Sequence, residues 1–263
     1  MRLIVALLFL CFTLGTFAQG GGLYSRKHLP LVDFGGRYKM SGWLIEPGAT
    51  WDLARFSNPE EQYNDQTIKV NPGGKLGAYL GIGRYNFFYE GGRFINYLDY
   101  SVAYKMLRGK EEITGAISAE GKYSHNFLLG NFNINNIWQL SDRTFIQNSI
   151  GANIDWRFIT RQEHTGPNPD LNPSKIVANL HYKFGFGFKI NNRLFVIPTL
   201  ETPILNVHNF EKFKSTWGIF NSRYRPLILS VRFAWLRPVG KADCPPVYAN
   251  PDDKDAQENY QMR

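Results

Sequence analysis

Residues 175–189 read Lys-Ile-Val-Ala-Asn-Leu-His-Tyr-Lys-Phe-Gly-Phe-Gly-Phe-Lys and alternate between apolar and polar or small residues from position 178 onward. Successive side chains of a β-strand point to opposite faces. One face therefore carries Ile176, Ala178, Leu180, Tyr182, Phe184, Phe186 and Phe188, and the other carries Asn179, His181, Lys183, Gly185, Gly187 and Lys189. In a soluble sandwich the apolar face packs on a core, whereas in a transmembrane barrel it faces lipid and the polar face lines the lumen.

The first 18 residues have the parts of a secretory signal peptide. A basic start at Arg2 precedes an apolar run over residues 3–14, and Thr16-Phe17-Ala18 forms a small-residue cleavage site. After Gln19 no window approaches the roughly 18 consecutive apolar residues that a membrane helix requires. The sequence predicts an exported protein without a helical span.

Composition is typical of β-structure that meets lipid. Aromatic residues make up 15% of the chain, and there are 25 glycines. Cys244 is the only cysteine beyond the predicted signal peptide, so an internal disulfide is excluded and a large sheet or lipid must stabilise the fold. The chain has a formal charge of +8. A basic envelope protein is suited to phosphorylated headgroups or anionic glycans, and no nucleic-acid recognition motif is present.

Eight segments have strand character, and their connections alternate between long and short. This pattern predicts an all-β, antiparallel up-and-down transmembrane barrel over residues 37–238, with short periplasmic turns and long extracellular loops. Residues Tyr123 to Leu129 and Phe132 to Ile134 follow opposite phases, which predicts a β-bulge near Gly130. The strands are expected near 37–56, 75–88, 94–107, 117–138, 144–159, 175–190, 193–206 and 226–237, and the long connections at 57–74, 108–116, 160–174 and 207–225.

Tryptophans and chain ends complete the predicted organisation. Trp43, Trp138 and Trp235 fall near periplasmic strand ends, and Trp51 and Trp156 fall toward the outer ends, as two aromatic girdles would. Residues 19–36 form a predicted N-terminal periplasmic segment. Residues 239–263 are acidic and lack periodicity, and they form either a docking tail for a periplasmic or envelope-complex protein or an idle solvated tail.

In signal peptide and strand pattern the chain resembles small, eight-stranded outer-membrane β-barrel proteins of Gram-negative bacteria. The resemblance covers nearly all of the mature chain and identifies no subfamily. It implies an outer-membrane location and contact with outer-membrane lipid and lipopolysaccharide. Such families include passive anchors, adhesion and complement-resistance proteins, and lipid A modifying enzymes, so the resemblance does not choose among these functions.

Charged residues of both signs fall on the predicted lumen face. They would pair with one another because an unpaired buried charge is costly, and we expect His181 to be a hydrogen-bonded filler. The alternative is a gated path for small solutes, for which the lumen glycines at 77, 81, 83, 185 and 187 would leave local space. The predicted lumen network is Glu46, Asp52, Asp99, Lys105, Asp155, Arg157, His181, Lys183, Glu201 and Arg232.

An enzyme would need a nucleophile and a base near the outer rim, where Ser124, His125, Thr160, His164 and His208 are expected. The deacylase family of small barrels pairs its histidine with a serine two residues later, and this sequence has no His-Xaa-Ser. No catalytic residue is therefore assigned. No histidine or cysteine spacing indicates a metal site, and no cofactor is predicted.

The predicted outer loop at 207–225 mixes aromatic and basic residues. It could hold a glycan or the phosphates of lipopolysaccharide, or it could fold over the barrel mouth and bury its own rings. Its candidate ligand contacts are Lys212, Lys214, Trp217, Arg223 and Arg225.

The function that these patterns favour is a non-enzymatic structural, adhesion or complex-forming component of the outer membrane. A narrow small-solute channel is the second hypothesis and a lipid-modifying enzyme is the third. A soluble periplasmic β-barrel or sandwich that binds a lipid is the alternative fold.

Overall fold

The structure is a computed structural model, and it has many polar side chains buried and many apolar side chains exposed. We find no helix within its described part that is long and apolar enough to cross a membrane. The described residues are 31, 38–53, 61–63, 66–88, 95–115, 118–165, 175–208, 218–219 and 225–239. The predicted signal peptide and most of the N-terminal segment and of the acidic tail lie outside these ranges.

Ten strands form one antiparallel sheet within the described ranges. Eight are long, and β2 and β9 are short additions that pair with β3 and β8. The strands are β1 Tyr38–Leu53, β2 Glu61–Tyr63, β3 Gln66–Phe87, β4 Tyr97–Gly115, β5 Ala119–Gln139, β6 Thr144–Thr165, β7 Ile176–Lys189, β8 Leu194–His208, β9 Gly218–Ile219 and β10 Arg225–Pro238.

The eight long strands close into a ring. Each pairs with the next long strand along the chain, and β1 pairs with both β3 and β10. Thr50 of β1, for example, lies opposite Gly77 on one side and Ile228 on the other. The prediction of an antiparallel up-and-down barrel of about eight strands is confirmed. Closure leaves the long strands without an unpaired edge along the ring, as a barrel requires.

Three strands, β3, β4 and β6, are longer than predicted. β3 begins at Gln66, β4 runs to Gly115 and β6 ends at Thr165, so the loop predicted at 108–116 is almost wholly strand. Gly115 has φ 131°, a left-handed conformation that suits glycine, and β5 begins four residues later. These extensions pair with the first part of β5, and we call the four pieces together the upper sheet, which comprises residues 66–75, 108–115, 119–126 and 159–165.

The upper sheet keeps the two-residue period but changes its outer chemistry. On β4 the residues Gly109, Glu111 and Ile113 are buried, whereas the alternate residues Arg108, Lys110 and Glu112 are exposed. Charged outward residues make this part of the strand resemble a loop in composition, which explains the misplaced boundary.

The predicted bulge near Gly130 is wrong. Burial alternates along β5 without a break from residue 119 to residue 135. The register slips instead on the neighbouring strand, where Asn126 pairs with Ile159 and Phe127 pairs with Arg157, so that Phe158 is the extra residue. The inward residues of β5 are aromatic or apolar at Tyr123–Leu129 and are asparagines further along. In the sequence, this change from apolar to polar inward residues looks the same as a shift of the apolar residues to the other face.

Glycines on the inner wall make room for large neighbours. A Cβ added at Gly187 would lie 2.1 Å from Cζ of Phe145, whose ring packs against Phe195 with centroids 6.0 Å apart. Gly130, on the outer face, has nothing within 4 Å of the corresponding position. The ring of Phe145 on β6 therefore fills the space that Gly187 leaves on β7.

We expect Gly187→Ala to destabilise the barrel by about 1–3 kcal/mol, because overpacking displaces the Phe145 ring. Gly130→Ala is the matched control and should be neutral or slightly stabilising, since it only restricts the unfolded chain. Urea unfolding in detergent micelles, followed by tryptophan fluorescence, measures both. Equal effects of the two substitutions would contradict the packing described for Gly187.

Candidate functional site in the barrel lumen

The lumen has an apolar cluster at the end where β1 begins and β10 ends. Its buried side chains pack together with Leu31 and enclose a cavity of about 30 Å³. Arg232, from the polar layer above, also lines this cavity. The buried members of the cluster are Leu44, Tyr85, Tyr97, Phe145, Phe195, Ile197, Ala234 and Leu236.

Above this cluster, Glu46 is the centre of a buried charge network. Lys183 Nζ donates to Glu46 Oε1 at 3.0 Å, and Arg232 Nη2 donates to Oε2 at 3.1 Å. Ser230 Oγ also donates to Oε1, at 2.7 Å. Both carboxylate oxygens are therefore occupied by donors, as a fully buried carboxylate requires.

The two cations of this network each reach a second carboxylate. Lys183 Nζ lies 2.8 Å from Glu201 Oε2, and Arg232 Nη1 donates to Asp99 Oδ2 at 2.7 Å. Three carboxylates and two cations thus form one connected group. All five side chains are at most 2% exposed, so removal of one partner would leave a charge without compensation in a low-dielectric interior.

These contacts cross the lumen. Lys183 on β7 and Glu46 on β1 are three strands apart around the ring, and so are Arg232 on β10 and Asp99 on β4. An eight-stranded barrel has an interior just wide enough to be filled by side chains. The network therefore occupies the cross-section at this level instead of lining an open passage.

Amides extend the network on one wall. Asp99 accepts hydrogen bonds from Asn133 Nδ2 at 2.7 Å and from Asn135 Nδ2 at 2.8 Å. His181 Nε2 lies 2.6 Å from Asn133 Oδ1 and 4.0 Å from Glu201 Oε1. His181 is 1% exposed and is placed as a hydrogen-bonded side chain that fills space between β5 and β8.

A second polar group lies further toward the upper sheet. Lys105 Nζ donates to Asp155 Oδ2 and lies 5.2 Å from the ring centroid of Phe127. Asp52 accepts a hydrogen bond from Tyr123 Oη at 2.7 Å. Of the ten residues predicted for the lumen network, nine are buried, and Arg157 is half-buried beside the register slip on β6.

The lumen glycines do not leave the space that a solute path would need. A Cβ at Gly77 would lie 2.4 Å from Thr50 Oγ1, and one at Gly83 would lie 2.6 Å from Ser101 Cβ. At Gly185 and Gly187 the near atoms belong to Ile197 and Phe145, and at Gly81 the Tyr79 hydroxyl lies 3.3 Å away. Neighbouring side chains occupy each position.

Sequence reasoning missed the neutral members of the lumen. Thr199, Ser230, Asn133, Asn135 and Gln147 are all buried and hydrogen-bonded to the network or to each other. The two-residue period that placed the charged residues also places these, because they share the inward phase of their strands. A search restricted to charged residues does not find these neutral residues.

The residues considered for catalysis come together only in part within the described residues. Ser124 and His125 are consecutive in β5, and His125 is buried inside while Ser124 belongs to the outward phase. His125 Nδ1 lies 3.3 Å from Thr160 Oγ1 and its ring stacks on Tyr123. The side chains of His164 and His208 lie outside the described set. Within the described residues no group of metal-ligating side chains comes together.

The predicted ligand loop is mostly outside the described residues, and this applies to Lys212, Lys214, Trp217 and Arg223. Arg225 is described, and it differs from expectation. It is the first residue of β10, pairs with Leu53 and is 8% exposed. Arg225 is thus part of the barrel wall and not of an exposed loop.

We expect Glu46→Ala to destabilise the barrel by about 3–5 kcal/mol, because it leaves Lys183 and Arg232 buried without their shared carboxylate. Glu112→Ala removes an exposed carboxylate of β4 and should change the unfolding free energy by less than about 0.5 kcal/mol. Urea unfolding in micelles compares the two variants. A small effect of Glu46→Ala would show that the network is not a major source of stability.

No family model matches the chain, and no curated protein matches its sequence. Among solved structures, the outer membrane protein OprG from Pseudomonas aeruginosa matches with 10% identity and a TM-score of 0.41, covering 77% of this chain and 99% of that one. Neisserial surface protein A matches with 10% identity and a TM-score of 0.35, over 73% and 96% of the two chains. Ail, the attachment invasion locus protein of Yersinia pestis, matches with 9% identity and a TM-score of 0.30, over 75% and 99%. These likenesses concern the fold alone.

Proposed function

We propose that this chain is an integral outer-membrane β-barrel with a closed lumen, a non-enzymatic component of the envelope that holds the upper sheet and its neighbouring loops outside the cell. The observation that carries the proposal is the inverted distribution of polarity. Charged side chains such as Asp99 and Lys183 are completely buried, whereas Ile154 is 62% exposed and Leu76 is 61% exposed.

This inverted distribution of polarity distinguishes a membrane barrel from a soluble one. A soluble barrel or sandwich would bury its apolar faces, and monomeric soluble proteins rarely expose large contiguous apolar surfaces. Here apolar side chains are exposed on β1, β3, β4, β5, β6, β7, β8 and β10. These exposed side chains surround the whole ring, and we call them the apolar belt. A barrel that faces lipid requires such a belt.

The height of the belt fits a bilayer. On β1 the outward residues run from Trp43 through Ile45 to Trp51. This is about 26 Å along the strand at about 3.3 Å per residue, or about 20 Å along the barrel axis at a strand tilt of about 40°. Outer-membrane barrels have an apolar band about 25 Å tall. The Arg84 guanidinium lies 4.9 Å from the ring of Trp43, which pairs with Trp235, and such aromatic and basic pairs suit the membrane–water interface.

The orientation follows from the two ends of the barrel. The turns at 140–143 and 190–193 lie at the same end as the start of β1 and the end of β10. In outer-membrane barrels the short turns and both termini face the periplasm. The upper sheet would then lie on the extracellular side, and the acidic tail at 239–263 would lie in the periplasm. There the tail would either dock a periplasmic or envelope-complex protein or remain solvated.

The closed lumen favours a scaffold over the alternative functions. A channel would need a path through the level where Lys183 and Arg232 cross to Glu46 and Asp99, and through the apolar cluster below it. An enzyme that used Ser124 and His125 together would need both on one face of β5, and their positions are opposite. A structural, adhesion or complex-forming role requires neither of these, because it uses the outer surface alone.

We expect Ile154→Arg to impair insertion by about 2–4 kcal/mol, the cost of an arginine facing lipid near the bilayer midplane. Glu163→Arg, on the upper sheet of the same strand, should insert normally because that position lies in water. The folded fraction after dilution from urea into phosphatidylcholine vesicles measures both. Normal insertion of Ile154→Arg, or extraction of the wild-type protein into buffer without detergent, would contradict the membrane assignment.

The wild-type protein should give no steady ionic conductance in planar bilayers, since side chains bridge the lumen. The double variant Lys183→Ala/Glu46→Ala removes one bridge while keeping its formal charges balanced, and it should raise the frequency of brief openings. Reproducible steady conductance of the wild-type protein would favour the narrow small-solute channel over the scaffold.

A further inference from the structure

Basic residues form a cluster on the outer face of the upper sheet, in two rows that run across neighbouring strands. In the lower row Lys75 of β3 lies opposite Arg108 of β4, Arg108 lies opposite Ser124 of β5, and Ser124 lies opposite Arg161 of β6. In the upper row Lys110 of β4 lies opposite Lys122 of β5. These five cationic side chains are exposed, and we call them the basic patch.

The basic patch begins where the apolar belt ends. Arg108 follows Met106 on the outward face of β4, and Arg161 follows Ile159 on β6. Lys75 is adjacent to Leu76, which is 61% exposed. The lower row therefore lies within one or two residues of the lipid-facing surface, at the level where the headgroups of an outer leaflet would be.

Charge sign changes with height above the belt. The two basic rows contain five cations and one exposed carboxylate, that of Glu163, which lies opposite Lys122. The next row has the opposite sign, since Glu112 lies opposite Glu120. A solvated surface that only served solubility would intersperse the two signs, whereas here the positive charge is concentrated next to the membrane.

Like charges directly opposite each other on a sheet are destabilising, and Lys110 and Lys122 are such a pair. None of the five cations makes an ion pair with another side chain in the part of the chain that the structure describes. Adjacent strands are about 4.8 Å apart, so Arg108 and Arg161 are separated by about 10 Å, with the Ser124 hydroxyl between them. This spacing leaves room for an anionic group that accepts from both guanidinium groups.

We propose that the basic patch binds the phosphate groups of a phosphorylated glycolipid in the outer leaflet, a proposal that rests on the membrane placement proposed above. Arginine presents its donors in a planar fork that matches phosphate oxygens, and Lys75, Lys110 and Lys122 add point charges around it. The apolar belt directly below accepts the acyl chains of the same molecule. This continuity selects a lipid as the occupant over a free phosphate ion.

The test compares Arg108→Gln/Arg161→Gln with the wild-type protein in detergent micelles doped with diphosphorylated lipid A. The matched control is Arg143→Gln/Arg193→Gln, which removes two exposed arginines from turns at the other end of the barrel. Lipid retained by each purified protein is measured by native mass spectrometry over a series of lipid concentrations. We expect the patch variant to bind on the order of tenfold more weakly and the control to bind as the wild type does.

Removing the phosphates from lipid A should lower its affinity for the wild-type protein to that of the patch variant, and raising the salt concentration should weaken the wild-type interaction. Equal binding by the patch variant and the wild type would overturn the proposal. Complete competition by inorganic phosphate or by a soluble sulfated polysaccharide would overturn the choice of a lipid. Insertion into vesicles is measured in parallel: normal insertion with unchanged lipid binding refutes the basic patch alone, whereas failed insertion of the wild type refutes the membrane placement.

Discussion

The paired contact of Glu46 with Lys183 and Arg232 is the interaction on which the rest of the barrel depends. On the membrane placement proposed above, a ring whose outer solvent is lipid gains little from burying apolar side chains inside, because lipid is as apolar as a protein core. Much of the inner wall is instead polar, and the narrow interior leaves little water to solvate charges. Each charge must therefore find its partner on another strand, and the partners that Glu46 finds lie on β7 and β10. The contact fixes the opposite walls of the barrel relative to each other.

Packing around the network follows from this constraint. Below it, Phe145 and Phe195 fill the lumen because Gly187 leaves a gap that the Phe145 ring enters. Above it, Tyr123 crosses to Asp52 and covers the position where Gly109 has no side chain. Glycine at one strand and a ring at the next is a recurring way to fill a curved sheet. Side chains thus fill the lumen at three levels.

Much of this could be predicted from the sequence, since a period of two assigns each residue to a face. It placed Phe184, Phe186 and Phe188 outward and His181 and Lys183 inward, as the structure has them. Pairing partners could not be predicted. Glu46 and Lys183 are separated by 137 residues, and their contact depends on ring size and strand register, which no local pattern encodes. The extensions of β3, β4 and β6 were missed for a different reason. On β4 the outward charges have the composition of a loop, although the inward residues Glu111 and Ile113 are buried.

Strands β3 to β6 are longer than the other long strands, so one side of the barrel is taller than the other. A closed ring does not require this difference in height. Strands that end at the membrane surface would suffice to bury the lumen network and to expose the apolar belt. The additional residues put Lys110 opposite Lys122 and bring Arg108 and Arg161 beside Ser124, an arrangement that costs folding free energy in water because the like charges repel. The cost disappears when an anion lies between the rows. On the proposed membrane placement, a phosphorylated headgroup would be held at that height by its own acyl chains. It would supply the counter-charge that the two basic rows lack apart from Glu163.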